Sequence, residues 1–309
     1  MPRIKDTALI LYLIYIGMTV IETIMLLFGG MSFFESLLHA FGTAGTGGFG
    51  IKRNSIAGYS PYIQWVITAF MILFGINFNL YYLMLLKKFK AVVTSTELWA
   101  YLGIIASSIA VISWNIRHLF VGAEETVRAA AFQVSSIIST TGYATTDFNL
   151  WPNLSKNILL ILMFIGGCAG STAGGIKVSR IVLLFKLISN EVKRMLHPRS
   201  VSSLRFEGKM VDGHTRKGVS NYFLIYFVCL LAIFLALSFE PFDFETNFTA
   251  AVTCFNNVGP GFGAVGPTGG FGDYSAFAKI VLSFAMLLGR LEIFPIIIAL
   301  APVSWARNR

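Results

Sequence analysis

The chain has 309 residues, of which 55% are hydrophobic and 13% are charged, and its formal net charge is +9. A soluble globular domain carries about 25% charged residues, so this composition excludes an ordinary soluble domain. We expect an all-α polytopic membrane protein whose partner is the lipid bilayer.

Six segments are apolar over roughly the 20 residues that a bilayer crossing requires. We predict crossing helices near residues 8–28, 62–86, 97–116, 155–189, 219–239 and 275–300. The first segment is longer than the apolar core of a cleavable signal peptide, and no A-x-A-like cleavage site closes it. We therefore expect it to be retained as the first membrane helix.

Three shorter segments, near residues 32–43, 124–139 and 246–255, are each followed at once by a glycine turn. The turns read T-G-G-F-G from Thr46 to Gly50, T-T-G-Y-A from Thr140 to Ala144, and N-V-G-P-G from Asn257 to Gly261. Irregular backbone at membrane depth is tolerated only where protein buries it or water reaches it. The pattern therefore predicts repeated helix–re-entrant pore loop–helix units, of which three are visible.

All three turns keep the central glycine of the T-V-G-Y-G loop that lines potassium channel filters. In such a filter, backbone carbonyls replace the hydration shell of K⁺, and glycine adopts the required backbone angles without a Cβ penalty. The partially negative C-terminal end of each half-helix also favours a cation. We therefore predict that K⁺ binds to backbone carbonyls at Thr46, Gly47, Gly48, Thr140, Thr141, Gly142, Asn257, Val258 and Gly259.

The alternative is that the glycine turns only terminate the half-helices. This alternative is strongest for the third turn, where Asn257 replaces the threonine and Pro260 replaces the aromatic residue.

Residues 155–189 would form one overlong helix, but five glycines interrupt it between Gly166 and Gly175. Each glycine in a helix interior costs roughly 1 kcal/mol relative to alanine, so the helix must break there. A break at membrane depth should line a cavity. Close helix packing through small residues is an alternative. A phosphate-binding loop does not fit, because no strand precedes the stretch and no G-K-[ST] pattern follows it.

Basic residues cluster at both chain ends, around residues 87–90 and across residues 186–218, whereas the side of the glycine turns is more acidic. Basic loops stay in the cytoplasm, so we expect both ends and these two segments to be cytoplasmic and the turns to approach from outside. Nucleic-acid binding could also explain the basic composition, but the charges bracket membrane spans, and we expect no nucleic-acid partner. Pore units are predicted at 1–90, 91–190 and 219–309, with a solvated basic linker at 191–218 that includes short amphipathic helices in one alternative.

The glycine turns, the sequence F-I-G-G-C-A-G-S-T-A-G-G-I-K from Phe164 to Lys177 and the ending L-L-G-R-L-E-I-F-P from Leu287 to Pro295 resemble the Trk/Ktr/HKT superfamily of potassium transporters. The bacterial Trk-type membrane subunit is the most similar type, and the resemblance covers nearly the whole chain. It implies potassium translocation across the inner membrane by a multi-pass protein, with K⁺ as the transported ion and no covalently bound cofactor. It also implies a homodimer with one pore per subunit and a cytosolic nucleotide-binding ring as regulatory partner.

The resemblance further implies that the glycine-rich stretch is an intramembrane loop that gates conduction below the filter. The gate residues carried over in this way are Gly166, Gly167, Gly170, Ser171, Thr172, Gly174, Gly175, Lys177 and Arg290. Arg290 and Glu292 lie inside the last apolar span, where a charge is a functional hypothesis by default. The alternatives are a snorkelling or salt-bridged structural role for Arg290 and a cytoplasmic anchor role for Lys177.

The family surrounds its pore with four consecutive units, and the three units of this chain match the second, third and fourth. We therefore also consider a non-conducting truncated subunit or scaffold that needs a separate first unit. A membrane enzyme is the least favoured class, because the sequence holds no metal-ligand cluster and no paired membrane carboxylates.

Overall fold

The computed structural model describes residues 4–52, 54–197, 204–291 and 293–300. These ranges form thirteen α-helices and one two-stranded hairpin. The helices are α1 (Ile4–Phe28), α2 (Phe33–Ala44), α3 (Pro61–Phe74), α4 (Phe78–Leu85), α5 (Phe89–Val93), α6 (Thr96–Ile116), α7 (Ala123–Ile138), α8 (Asn153–Ile165), α9 (Val178–Leu196), α10 (Gly213–Leu237), α11 (Phe244–Asn256), α12 (Ala276–Arg290) and α13 (Ile293–Leu300). The antiparallel strands are β1 (Arg205–Phe206) and β2 (Lys209–Met210).

Helices α1, α6 and α10 are each long and apolar enough to cross a membrane alone. Two more spans result if bent pairs count as single crossings, since α3 and α4 meet at 88° and α12 and α13 meet at 110°. The predictions of continuous helices over 62–86 and 275–300 are wrong at these bends. At the first bend, Gly75 ends α3, and the Asn77 side chain accepts a 2.9 Å hydrogen bond from the Asn79 amide. An N-cap residue of this kind starts a new helix.

The predicted interruption of residues 155–189 is confirmed, because α8 ends at Ile165 and α9 begins at Val178. We call residues 166–177 the glycine-rich loop. Gly166, Gly170 and Gly175 have φ values of 70°, 71° and 78°, in the left-handed region that favours glycine. The glycines therefore allow a chain path that other residues would adopt only with strain.

The three predicted half-helices correspond to α2, α7 and α11 within a few residues. Their deep ends are enclosed by protein: every residue of 129–138 in α7 and of 249–256 in α11 is buried. The opposite end of α2 begins with a capping box between Ser32 and Glu35. The half-helices therefore start near the surface and end in the interior, which places the glycine turns at the centre of the helix assembly.

The predicted linker is shorter than expected, because α9 continues to Leu196 and α10 begins at Gly213. Between them lies the β1–β2 hairpin, while residues 198–203 lie outside the described residues. The hairpin is anchored by a small apolar cluster in which Leu204 and Val211 pack with Leu183 of α9 and Val219 of α10. A hairpin held in this way moves together with the two helices that it joins.

The outer faces of the helices expose large apolar side chains, such as Leu224, Leu231 and Leu235 on α10. Monomeric soluble proteins rarely expose continuous apolar surface of this kind. The apolar outer surface therefore fits a lipid environment around the helix assembly.

Candidate functional site

The three glycine turns, which we call turn 1 (46–50), turn 2 (140–144) and turn 3 (257–261), share one backbone conformation. The first residue of each has a left-handed φ, and so does the glycine two positions later. The φ values are 50° at Thr46, 56° at Thr140 and 57° at Asn257, followed by 63° at Gly48, 85° at Gly142 and 108° at Gly259. Turn 3 therefore has the same structure as the other two, although its sequence departs most from them.

Hydrogen bonding repeats in the same way. The second residue of each turn donates its backbone N–H to the carbonyl five residues earlier, inside the preceding half-helix. The distances are 2.8 Å from Gly47 to Gly42, 2.9 Å from Thr141 to Ser136 and 2.9 Å from Val258 to Thr253. The backbone amides of each turn therefore hold it against its half-helix, and the backbone carbonyls of the turn take no part in these hydrogen bonds.

The first three carbonyl oxygens of each turn are the nine atoms predicted to bind K⁺. None of the nine accepts a hydrogen bond from a residue that the structure describes. Most buried carbonyls in proteins are paired. Thr46, Thr140, Thr141 and Val258 are buried, so their unpaired carbonyls are unusual, whereas Gly47 and Gly259 are exposed. Oxygen atoms in such a position are ligands suited to a cation. Across the described residues, no group of three or more His, Cys, Asp or Glu side chains offers a competing metal site.

The turns lie side by side in chain order. A Cβ atom on Gly48 would lie 2.0 Å from the carbonyl oxygen of Thr141 in turn 2. A Cβ atom on Gly142 would lie 2.2 Å from the carbonyl oxygen of Val258 in turn 3. Real Cβ atoms do not come this close to oxygen, so both positions require glycine for space as well as for φ. Turn 1 therefore adjoins turn 2, and turn 2 adjoins turn 3.

A cavity of about 520 Å³ separates turn 3 from turn 1. Its lining includes Thr46 and Gly47 of turn 1, Val258 and Gly259 of turn 3, and Arg290 of α12, whereas turn 2 contributes no lining residue. The three turns are therefore arranged in chain order, and the cavity lies between the third turn and the first.

A buried polar network supports the outer ends of turns 1 and 2. The Tyr143 hydroxyl of turn 2 donates to the Phe49 carbonyl of turn 1 at 3.0 Å and lies 3.2 Å from Nδ1 of His39. A hydroxyl has one proton, so its oxygen accepts from Nδ1 of His39 when the proton goes to Phe49. Nε2 of His39 lies 3.3 Å from the Tyr59 hydroxyl, which donates to Glu35 at 3.2 Å. The predicted T-T-G-Y-A turn thus ties itself to its neighbour through its tyrosine.

Glu35 ends this network at the surface and forms an ion pair with Lys52 at 3.7 Å. Burial acts to raise the pKa of Glu35. The hydrogen bonds from Ser32 and Tyr59 and the charge of Lys52 outweigh it and hold the pKa below its ordinary value. Glu35 is therefore a carboxylate at neutral pH.

The glycine-rich loop lies against the inner ends of the turns. Its Gly174 amide donates to the Thr140 hydroxyl of turn 2 at 2.6 Å, and its Thr172 carbonyl accepts from the Thr46 hydroxyl of turn 1 at 2.9 Å. A Cβ atom on Gly174 would lie 2.3 Å from the carbonyl oxygen of Asn256, just before turn 3. The loop therefore contacts the inner end of all three turns.

Arg290 joins the loop to the end of α2 and, through the Thr46 hydroxyl at 3.4 Å, to turn 1. Its Nη1 atom donates to the Thr172 carbonyl at 2.9 Å, and its Nη2 atom donates to the Gly45 carbonyl at 3.2 Å. Arg290 is the last residue of α12, at the second bend, and it lines both the cavity beside the turns and a second cavity beside the loop. No carboxylate in the described ranges lies within ion-pair distance of it. Its predicted neighbour Glu292 lies outside the described residues.

The loop residues carried over from the resemblance are all brought together here. Gly166 and Gly175 pack against each other at the base of the loop, where the two chain segments leave α8 and enter α9. Gly167 faces Ala173 and Ser171 of the loop and the carbonyl of Gly75. Gly170, Ser171, Thr172 and Gly174 line the cavity beside the loop together with Lys177. The Lys177 ammonium donates to the Ala173 carbonyl, so this side chain braces the loop itself.

Sequence reasoning missed the residues that hold the loop from its far side. The bend after α3 leaves carbonyls without helical partners, and the loop uses two of them: Cys168 N–H donates to Gly75 at 2.9 Å, and the Thr172 hydroxyl donates to Phe74 at 3.3 Å. The Glu97 carboxyl on α6 accepts from Ala169 N–H at 2.6 Å. The Gly75-Ile-Asn77 sequence inside an apolar run was the only signal of the bend.

Comparisons with known proteins give one consistent result. The family model for TrkH, described as a cation transport protein, matches residues 1–104 and 83–306. The chain is 33% identical over 307 residues to the Trk system potassium uptake protein TrkG of Escherichia coli (strain K12), covering 98% of this chain and 63% of the relative. It is 34% identical over 309 residues to TrkH of the same strain, with the same coverage.

The structure is similar to the crystal structure of the potassium transporter TrkH from Vibrio parahaemolyticus, with a TM-score of 0.91 and 33% sequence identity. The match covers 99% of this chain and 66% of the other. The chain therefore spans less than two thirds of the length of the relatives that it matches.

Proposed function

The chain belongs to the TrkH family of cation transport proteins, and we propose that it provides at least three walls of a pathway for potassium ions. Its membership confirms the resemblance inferred from the sequence, and with it the all-α fold of a multi-pass inner-membrane protein. The named relatives are potassium uptake proteins rather than enzymes. The observation that carries the proposal is the set of nine unpaired carbonyls on three turns that share left-handed φ values at the same two positions.

We propose that these carbonyls form the selectivity filter. The ends of α2, α7 and α11 lie next to them, so the partially negative helix ends add to the attraction for a cation. Gly48 lies against Thr141, and Gly142 lies against Val258. These contacts hold neighbouring turns close together, which supports a single ion pathway lined by all three turns. An ion in that pathway exchanges its water shell for oxygens from several turns at once.

We propose that the glycine-rich loop and Arg290 form the gate. The loop contacts the inner end of every turn, so an ion that leaves the filter inward meets it directly. Arg290 adds a positive charge beside the same point, where low dielectric strengthens its repulsion of a cation. The loop has few helical hydrogen bonds of its own, which allows it to move as a unit.

A second candidate function is a subunit that conducts only with a further pore unit supplied by another polypeptide. The cavity between turn 3 and turn 1 favours this candidate, because none of the described residues forms a further turn there. An apolar groove beside it is lined by exposed phenylalanines, including Phe34, Phe41 and Phe49. A helix–turn–helix unit has the apolar surface to pack there.

The remaining partners are proposals from the family resemblance. They are a homodimer with one pore per subunit and a cytosolic nucleotide-binding ring. The basic loop at residues 87–90 and the β1–β2 hairpin would face that ring if the turns approach from outside, as the positive-inside rule predicts. Cysteine labelling of Asn153→Cys and Lys209→Cys from opposite sides of the membrane tests this topology; labelling of both from one side contradicts it.

Rubidium uptake into proteoliposomes tests the transport proposal. The purified chain is reconstituted alone and together with a further pore unit as a separate polypeptide, and K⁺ and Na⁺ compete with Rb⁺ in each case. We expect K⁺ to compete more strongly than Na⁺ in at least one of the two preparations. Uptake by the chain alone supports a complete pathway, and uptake only with the added unit supports the second candidate. Folded protein without uptake in either preparation overturns both.

A further inference from the structure

Glu97 lies in the first turn of α6, and its side chain is directed into the protein, where the residue is only 5% exposed. One carboxyl oxygen, Oε1, accepts two backbone hydrogen bonds. They come from Ala169 in the glycine-rich loop at 2.6 Å and from Ser179 in the first turn of α9 at 3.1 Å. A single carboxyl group therefore fastens the loop and the start of the following helix to α6.

The backbone of Glu97 is itself held by a second acidic residue from a distant part of the chain. Glu97 N–H donates to Oε1 of Glu207 at 3.0 Å, and the Ser95 hydroxyl donates to the same oxygen at 3.3 Å. The first N–H groups of a helix have no partner inside the helix, so Glu207 satisfies one that α6 would otherwise leave open. Glu207 thus caps the end of α6 from which Glu97 reaches the loop.

Glu207 and Gly208 form the two-residue turn of the β1–β2 hairpin, with φ values of 49° and 74°. The apolar cluster described above seats the hairpin on α9 and α10. A displacement of the hairpin therefore shifts the Glu207 side chain relative to α6, because Glu207 lies in the hairpin turn itself and moves with it.

We propose that Glu97 is a positioning residue that holds the glycine-rich loop in place, and that Glu207 transmits displacement of the β1–β2 hairpin to it. The hairpin contacts the N-terminus of α6 through Glu207, and the Glu97 carboxyl at that N-terminus contacts the Ala169 amide of the loop. This inference rests on the proposed function, because it assigns a control element to the proposed gate. Any ligand or protein that pulls on the hairpin from the cytoplasm would loosen the loop through this chain of contacts.

The two acidic residues do more together than cap the start of α6. Glu97 donates its amide to one carboxyl and offers its own carboxyl to two other amides, so each group of the residue has a long-range partner. A helix cap alone requires only a local partner, which Ser95 already supplies by accepting from Leu98 N–H at 3.3 Å. The long-range contacts are not needed to cap α6. They connect α6 to the hairpin on one side and to the glycine-rich loop on the other.

The loop itself contains the reporter for a test, since Cys168 is a fully buried thiol beside Ala169. Cys229→Ser and Cys254→Ser leave Cys168 as the one thiol of the chain, because the sequence holds three cysteines. The rate at which a small charged thiol reagent modifies Cys168 in purified protein then measures how often the loop leaves its seat. This measurement needs no ion flux.

Loss of a hydrogen bond to a carboxylate shifts such an equilibrium by about tenfold or more. We expect Glu97→Ala to raise the Cys168 modification rate by at least about tenfold. Glu97→Gln keeps an acceptor oxygen and should raise it less. Glu207→Ala on the hairpin surface should raise it by about threefold to tenfold, and Glu207→Gln should return it towards the parent rate.

The double variant decides between transmission and two separate structural effects. If Glu207 acts through Glu97, Glu207→Ala adds little in the Glu97→Ala background; independent effects multiply. Glu191→Ala is the matched control, because Glu191 is an exposed acid of α9 that pairs only loosely with Arg194 at 3.9 Å. It should leave the rate unchanged.

An unchanged Cys168 rate in Glu207→Ala overturns the proposal, and this hairpin variant keeps the test decisive if Glu97→Ala does not fold. Multiplying effects in the double variant overturn the transmission from the hairpin. Rubidium uptake by the same variants separates this inference from the proposed function. Higher thiol accessibility without uptake in any preparation supports the loop contacts and contradicts the transport role. Uptake with unchanged thiol accessibility supports the transport role and contradicts the loop contacts.

Discussion

The glycine turns and the glycine-rich loop lie in contact, but they are held in different ways. Each turn is fixed by amides that reach back five residues into its own half-helix. The loop is fixed by α3, α6, α12 and the turns, through partners such as Arg290, which is 118 residues from Thr172 in the chain. The turns are thus held rigidly by local hydrogen bonds, whereas the loop is held by several independent long-range contacts. This difference fits the proposed roles of the turns in selection and of the loop in gating.

The largest expected effect comes from breaking a turn. Gly142→Ser places a Cβ about 2 Å from the Val258 carbonyl and forces a side chain onto a φ of 85°. Left-handed backbone at a residue other than glycine costs on the order of 1–3 kcal/mol. The preference for K⁺ over Na⁺ in rubidium competition should therefore fall by at least about tenfold.

The matched control is Gly103→Ala in the middle of α6, where an added Cβ meets no atom within 4 Å. It should keep the parent preference. An unchanged preference in Gly142→Ser, at normal expression, would remove Gly142 from the filter.

The next effect comes from freeing the loop while the turns stay intact. Arg290→Ala removes hydrogen bonds to Thr172 and Gly45 together with the positive charge. Charged hydrogen bonds contribute about 1.5–3 kcal/mol each, so basal rubidium uptake should rise by about tenfold with K⁺ preference retained. Deletion of residues 170–174 should also raise basal uptake.

Arg290→Lys separates the two contributions of the arginine, since lysine keeps the charge but not the two-point contact. Its basal uptake should lie between those of the parent and Arg290→Ala. If Arg290→Ala and the loop deletion fold normally and both lower the uptake, the gate assignment is wrong and these residues are structural.

A smaller effect is expected at a side-chain hydrogen bond that links two turns. Tyr143→Phe removes the hydroxyl that donates to the Phe49 carbonyl and contacts His39. A neutral hydrogen bond contributes about 1 kcal/mol, so K⁺ preference should fall by about fivefold at most. Tyr62→Phe, on the exposed side of α3, is the control and should behave like the parent. Equal behaviour of the two variants would show that turn 1 does not need turn 2 at its outer end.

The smallest effect is expected at a single seat of the loop. Thr172→Val keeps the Thr172 carbonyl contacts but removes the hydroxyl bond to Phe74. Several other contacts hold the loop, so basal uptake should rise by only about twofold to threefold. A tenfold rise would mean that the loop depends mainly on this one contact and does not share the load among several.

Much of the turn architecture was predictable from the sequence because it is local. A half-helix followed by a glycine pattern encodes both the turn and the amides that fold it back, and α2, α7 and α11 lie close to their predicted positions. Even Asn257 in turn 3 adopts the left-handed angle of its threonine counterparts, since asparagine tolerates that region. The assignment of these turns to ion selection stays a prediction.

The contacts of the loop were not predictable, because they join residues far apart in the chain. Glycine content identified the break at 166–177 but not its partners. Nothing in the sequence distinguishes Glu97 from the acids that are common in the first turn of a helix. The bend at Gly75 was hidden in an apolar run whose composition fits a straight span equally well.

The bend between α3 and α4 also links movement of the glycine-rich loop to the entry of water. Two carbonyls at the bend, those of Phe74 and Gly75, depend on the loop for their donors. A loop that withdraws leaves both oxygens bare at membrane depth, which is costly unless water takes its place. Opening of the proposed gate would therefore take up water, and osmolytes too large to enter the pathway would favour its closed state.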